Sequence, residues 1–134
     1  MTTRRILTDD ELAPEAAAVF ADIRATRGSD FVNDFWRALA NDPALLKATW
    51  ERLKVVMAPR EGGLDALTKE LVYLAVSIAN GCTYCVHSHT AAAKAKGMTD
   101  AQHGEFLAVV GMASTTNALV EGLQVPPDAV FQVK

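Results

Sequence analysis

The sequence predicts an all-α protein of about six helices, and three observations carry that expectation. Apolar residues recur at three- and four-residue spacing through most of the chain. Capping residues precede those runs, and Gly, Asn or Pro close them. No alternating stretch is long enough for a strand, and no segment repeats. At 134 residues, residues 1–134 make most simply one domain, able to bury a core without staples. Helices are expected over 8–58, a cysteine-bearing helical region over 64–122 and an irregular tail over 123–134.

Each element has its own signal. Thr8-Asp9-Asp10-Glu11 reads as a capping box for a first helix continuing through Ala16–Ile23. Arg27-Gly28-Ser29-Asp30 breaks it. Ser29 or Asp30 then caps a short helix with Phe31 and Phe35 four apart on one face. Asn41-Asp42-Pro43 stops the chain and restarts it, with Pro at the first helical position. The third helix lines up Leu46, Trp50, Leu53 and Met57 against a solvated face of Lys47, Glu51 and Lys54.

Pro59-Arg60-Glu61-Gly62-Gly63 reads as a loop rather than a domain boundary, because the flanking pieces look small to stand alone. A fourth helix spans about Asp65 to Ala79, with Leu67, Leu71, Leu74 and Ile78 inward. Asn80-Gly81 closes it. A fifth begins near Cys82 and stops at Gly97. Thr99 and Gln102 form the next capping box, for a last helix to about Glu121. That helix carries Phe106, Val110, Ala113, Asn117 and Val120 along one face. Gly111 within it suggests close approach of another helix. Pro126-Pro127 starts the tail.

Composition excludes several functions. Half the residues are hydrophobic and 22% charged, which suits a packed globular domain. A net charge of −3 with no basic cluster beyond Arg4-Arg5 gives no electrostatic support for nucleic-acid binding. The apolar run Leu71–Ala79 is far short of the roughly 20 residues of a membrane span. MTTRRILTDDEL lacks the apolar core of a secretory signal. A cytoplasmic, reducing location is expected, where a lone CxxC is a catalytic or metal-binding element more often than a staple.

The chemistry concentrates in NGCTYCVHSH, residues 80–89, which holds both cysteines and two of the three histidines. With a helix starting near Cys82, Cys82 and Cys85 share a face, and the helix N-terminus favours thiolate. His89, four residues after Cys85, can accept its proton. His87 points elsewhere, and His87 and His103 are expected at the surface. Glu70 lies near the apolar side of the fourth helix, an unusual place for a carboxylate without a partner. If the fourth and fifth helices form a hairpin, Glu70 reaches His89 and completes a relay Glu70–His89–Cys85, with Cys82 as second thiol. Glu70 paired with a lysine at a subunit interface is the plainer reading.

Three readings of the cysteines stand: redox chemistry, a zinc site and inert buried thiols. Cys82, Cys85, His87 and His89 on one helix cannot surround a tetrahedral ion, so no metal is expected. Helix dipole and histidine spacing disagree on the reactive thiol. The dipole favours Cys82 and the spacing favours Cys85.

Glu70 followed by Cys82-x-x-Cys85-x-x-x-His89 resembles the AhpD-like alkylhydroperoxidase branch of the carboxymuconolactone decarboxylase superfamily. The resemblance is strongest from about Leu67 to Ala118. It implies an AhpD-like helical fold assembled as trimers or hexamers, and a peroxidase that reduces hydroperoxides without haem, metal or another cofactor. It implies Cys85 as the peroxidatic thiol, Cys82 as the resolving thiol of a redox-active disulfide, and His89 and Glu70 as the proton relay. A lipoyl-bearing or thioredoxin-like dithiol partner would reduce the disulfide. One departure is Tyr84, where the prototype has histidine between its cysteines. Tyr84 would edge the active site, and Phe31, Phe35 and Trp36 would line an apolar hydroperoxide pocket or, more simply, serve core or interface packing. A decarboxylase or lactone enzyme, and a redox-sensing or thiol-transfer module without turnover, are the alternatives.

Overall fold

The computed structural model describes residues 1–131, which form six α-helices and two 3₁₀ turns, with no strand among them. The chain divides into two compact units, Met1–Ala58 and Pro59–Lys134. The division falls at the start of the Pro59–Gly63 loop.

In the first unit the Thr8–Glu11 pair forms, with Thr8 N–H donating to Glu11 Oε2 at 2.9 Å. It caps only a 3₁₀ turn, Asp9–Glu11. The first α-helix, α1 (Pro14–Arg27), starts afresh at Pro14. Proline lacks an N–H and drives the preceding residue out of helical geometry, so one continuous helix from Thr8 is excluded. Gly28, at φ 62°, ends α1 in the left-handed conformation that glycine takes without penalty.

The next helix begins later than the sequence suggests. Ser29 Oγ accepts from the Phe31 N–H at 3.2 Å in a local turn instead of capping a helix. The helix α2 (Asp34–Leu39) starts after Asn33, which leaves Phe31 outside it. In α3 (Pro43–Met57) Asp42 caps as expected, taking the Leu45 N–H at 3.0 Å, with Pro43 first in the helix. Leu46 and Trp50 are buried, and Leu53 packs on the same cluster.

Phe20, Ile23, Val32 and Leu46 form the driest part of this core. Trp36 meets Trp50 edge to face, with ring centroids 5.5 Å apart. Trp50 Nε1–H donates to Asp22 Oδ2 at 2.6 Å, and Lys54 Nζ donates to the same oxygen. The one polar atom of the buried indole is thereby satisfied.

The second unit begins with α4 (Ala66–Ala79), capped by Asp65, which accepts from the Thr68 N–H at 2.8 Å. Asn80 and Gly81, the latter at φ 68°, turn the chain into α5 (Thr83–Ala95). The two helices form the most extensive helix pair among the described residues. The buried line on α4 is Glu70, Leu74 and Ser77. It is rotated from the expected leucine stripe, of which Leu67, Leu71 and Ile78 are only half-buried.

The last helix, α6 (Asp100–Leu123), starts at the expected capping box. Thr99 Oγ1 takes the Gln102 N–H at 3.1 Å, and Gln102 Oε1 takes the Thr99 N–H at 2.9 Å. None of its residues is buried. His103, expected at the surface, is half-buried with Phe106 and Val110, while Ala113, Asn117 and Val120 are exposed. A Cβ on Gly111 would meet nothing within 4 Å in this chain. By length and composition α6 is long and apolar enough to cross a membrane. Its uncharged stretch Phe106–Val120 is longer than the apolar run Leu71–Ala79 singled out in the sequence.

Candidate active site

The site is built on the α4–α5 hairpin. Cys82 is the N-cap of α5, and its Sγ accepts from the Cys85 N–H at 3.3 Å. Cys82 N–H in turn donates to the Ser77 carbonyl at 2.9 Å, tying the cysteine loop to the end of α4. Cys82 and Cys85, with Cα atoms 5.3 Å apart, are joined in a disulfide. The sulfur at the cap faces an otherwise orphan amide of the first turn of α5.

His89 follows Cys85 by one turn of α5, so their side chains rise from one face. Its Nδ1 lies 2.6 Å from Glu70 Oε2. The histidine ring also stacks on Tyr73, with centroids 3.7 Å apart and planes 23° from parallel. Glu70 and Tyr73 stand three apart on α4, so one face of α4 supplies both the hydrogen bond and the stacking platform. With Nδ1 engaged by the carboxylate, Nε2 is the nitrogen left for proton exchange.

Glu70 is 5% exposed. Its second oxygen, Oε1, accepts from Lys96 Nζ at 2.9 Å. Burial pushes the Glu70 carboxyl up. The hydrogen bonds from His89 and Lys96 and the Lys96 charge outweigh that and hold it below its ordinary value of 4.5. The expected pairing of Glu70 with histidine is present. The lysine partner also exists, but it comes from the same chain.

Lys96 and Tyr73 are the site residues that sequence reasoning misses. Lys96 is seven residues after His89, two turns along the same face of α5, a spacing that could have flagged it. Tyr73 could have been flagged as the i+3 neighbour of Glu70.

The other candidates sit as follows. Tyr84 is 46% exposed on the first turn of α5. Trp36 is buried in the first unit against Trp50, which is the packing role. Phe31 and Phe35, 70% and 45% exposed, belong to the same unit. His87 is exposed. Among the described residues no group of three or more His, Cys, Asp or Glu side chains is placed to hold a metal ion.

The chain is similar to proteins of known family and fold. The model of the carboxymuconolactone decarboxylase family matches residues 43–126. The crystal structure of the alkylhydroperoxidase AhpD core from Rhodospirillum rubrum superposes with a TM-score of 0.96 at 63% identity, covering 100% of this chain and 99% of that one. Uncharacterized protein 4 in the cox locus of Paracoccus denitrificans is 35% identical over 83 residues, 61% of this chain and 69% of the relative.

Proposed function

The chain belongs to the carboxymuconolactone decarboxylase family, and within that family we propose that it is a thiol-dependent hydroperoxide reductase of the AhpD type. The observation that carries this reading is the Cys82–Cys85 pair at the start of α5 with the Glu70–His89 pair one turn further on. Similarity to the Rhodospirillum rubrum alkylhydroperoxidase core supports it.

In the reduced protein His89 Nε2 takes the Cys85 proton, and Glu70 holds the imidazole through Nδ1. The Cys85 thiolate attacks one peroxide oxygen of ROOH and becomes a sulfenic acid. The departing alkoxide takes the proton from His89 and leaves as ROH. Cys82 then attacks the sulfenate sulfur, releasing water and forming the disulfide. An external dithiol reduces that bond by exchange. The balance is ROOH plus dithiol to ROH, water and disulfide. No cofactor beyond the cysteine pair is needed.

A lipoyl-bearing or thioredoxin-like protein is the proposed donor, and the cytoplasm the proposed location. Tyr84, exposed beside the cysteines, is proposed to edge the approach to them. Phe31 and Phe35, exposed on the first unit, are proposed as apolar contact residues, and Trp36, buried against Trp50, as packing.

A trimer or hexamer is the proposed assembly, and α6 supports it. Val109, Met112, Leu119 and Leu123 are each at least 60% exposed and share one face. The hydroxyls of Ser114, Thr115 and Thr116 donate back to carbonyls of α6 itself, so the middle of the helix shows water little polarity. An exposed apolar face of this kind calls for a cover.

Peroxide consumption with dihydrolipoamide or a reduced thioredoxin as donor tests the function. Catalytic turnover lost in Cys85→Ser supports it. Turnover of a carboxymuconolactone by the Cys82→Ser/Cys85→Ser double variant would assign the protein to decarboxylation instead. A disulfide that forms without turnover with any donor would make it a redox sensor.

A further inference from the structure

A relay histidine changes charge as it works, and this creates a difficulty for Glu70. When His89 is protonated, it balances the buried carboxylate. When His89 is neutral, it still donates a hydrogen bond but no charge. A buried carboxylate without a compensating cation is expensive and takes up a proton instead. Protonated, Glu70 could no longer fix the Nδ1–H form of the ring.

Lys96 meets that need. Its Nζ occupies the oxygen of Glu70 that His89 does not, at 2.9 Å against 2.6 Å for the His89 contact. Its side chain is 39% exposed, so water reaches the ammonium, while the side chain of Glu70 is 7% exposed. Its root is fixed at the C-cap of α5, where the Lys96 N–H is directed at the carbonyls of the preceding turn. Side chains on a helix lean toward its N-terminus, which carries Lys96 back toward His89.

We propose that Lys96 is a positioning residue of the thiol site: a permanent cation that keeps the Glu70 carboxylate charged and in place while His89 exchanges its proton with Cys85. This rests on the Glu70–His89–Cys85 relay proposed above. Among the described residues the hydrogen-bond partner of the Lys96 ammonium is Glu70, and the Glu70→Gln background separates an effect through that carboxylate from a direct one on the thiols. Tyr73 constrains the plane of the ring, and Lys96 the charge beneath it.

The test uses full-length reduced protein and two readouts independent of peroxide. One is the rate of Cys85 alkylation by iodoacetamide, located by peptide mass. The other is the Nδ1–H proton resonance of His89, far downfield when bonded to a carboxylate. Lys96→Met should slow alkylation about tenfold, the lower end for loss of an outer partner of a site residue, and move the resonance upfield. Lys96→Arg should restore both. In a Glu70→Gln background Lys96→Met should change nothing further. Wild-type alkylation and an unmoved resonance in Lys96→Met, or an equal loss with and without Glu70, would overturn the proposal. If the wild-type thiols ignore peroxide while this pattern holds, the peroxidase reading fails and the role of Lys96 stands.

Discussion

Glu70 and His89, nineteen residues apart in the chain, meet at 2.6 Å across the α4–α5 hairpin. One is a carboxylate buried in the hairpin and the other stands one turn beyond Cys85. This contact turns a dithiol at a helix start into a candidate acid–base site.

Removing the charge at Glu70 tests that contact. Glu70→Gln keeps the shape but not the negative charge that orients and stabilises the imidazole. Stopped-flow reaction with an organic hydroperoxide should slow by on the order of 100-fold, the usual scale of a general acid–base contribution. Circular dichroism should show the fold intact. Unchanged kinetics would remove Glu70 from the mechanism.

The same residue sets an acid limit. Its carboxyl is held below 4.5 despite burial. A carboxyl with a depressed native pKa stabilises the fold above its unfolded value and loses that contribution as pH falls through the native value. The stability advantage of wild type over Glu70→Gln should therefore be full near neutrality and shrink below about pH 4.5. Urea midpoints between pH 7 and 3 measure it. An advantage that grows on acidification contradicts the assignment.

The first unit has its own anchor in Trp50, buried, bonded to Asp22 and packed on Trp36. Trp50→Ala should cost about 3–5 kcal/mol. Asp22→Ala, which leaves the indole N–H without its acceptor, should cost about 1–3 kcal/mol. Denaturant titrations of both variants give the comparison. Equal, small losses would mean that the core closes over the gap.

Assembly should depend on α6. Met112 and Leu119 lie on its exposed apolar face. Wild type should run as an oligomer in light scattering coupled to gel filtration, and Met112→Glu/Leu119→Glu as a monomer. A monomeric wild type would leave the apolar helix to a different partner, a bilayer included.

Legibility followed the range of the interaction. Asp42 and Thr99 mark helix starts through bonds three residues away, and their sequence context is enough to read them. The Thr8 box is equally local, but Pro14 limits what it caps. Ser29 satisfies a neighbouring amide in a turn, so its helix signal misleads. Glu70 is legible because a carboxylate among apolar neighbours needs a partner. Lys96, 26 residues away, is legible only through its seven-residue spacing from His89 and not as a partner of Glu70, because the register of two packed helices decides which lysine arrives. The bare face of α6 is hidden for the same reason: periodicity shows that a face is apolar, not whether its own chain covers it.

The most direct measurement is thiol content and intact mass after one equivalent of cumene hydroperoxide is added to reduced protein, with a sulfenate trap present. If Cys85 is the peroxide-reactive thiol, wild type loses both thiols rapidly, Cys82→Ser yields the trapped sulfenate, and Cys85→Ser stays reduced. Sulfenate trapped in Cys85→Ser instead would move the reaction to the capped sulfur of Cys82, and thiols that stay reduced for hours in all three proteins would contradict a hydroperoxide reductase altogether.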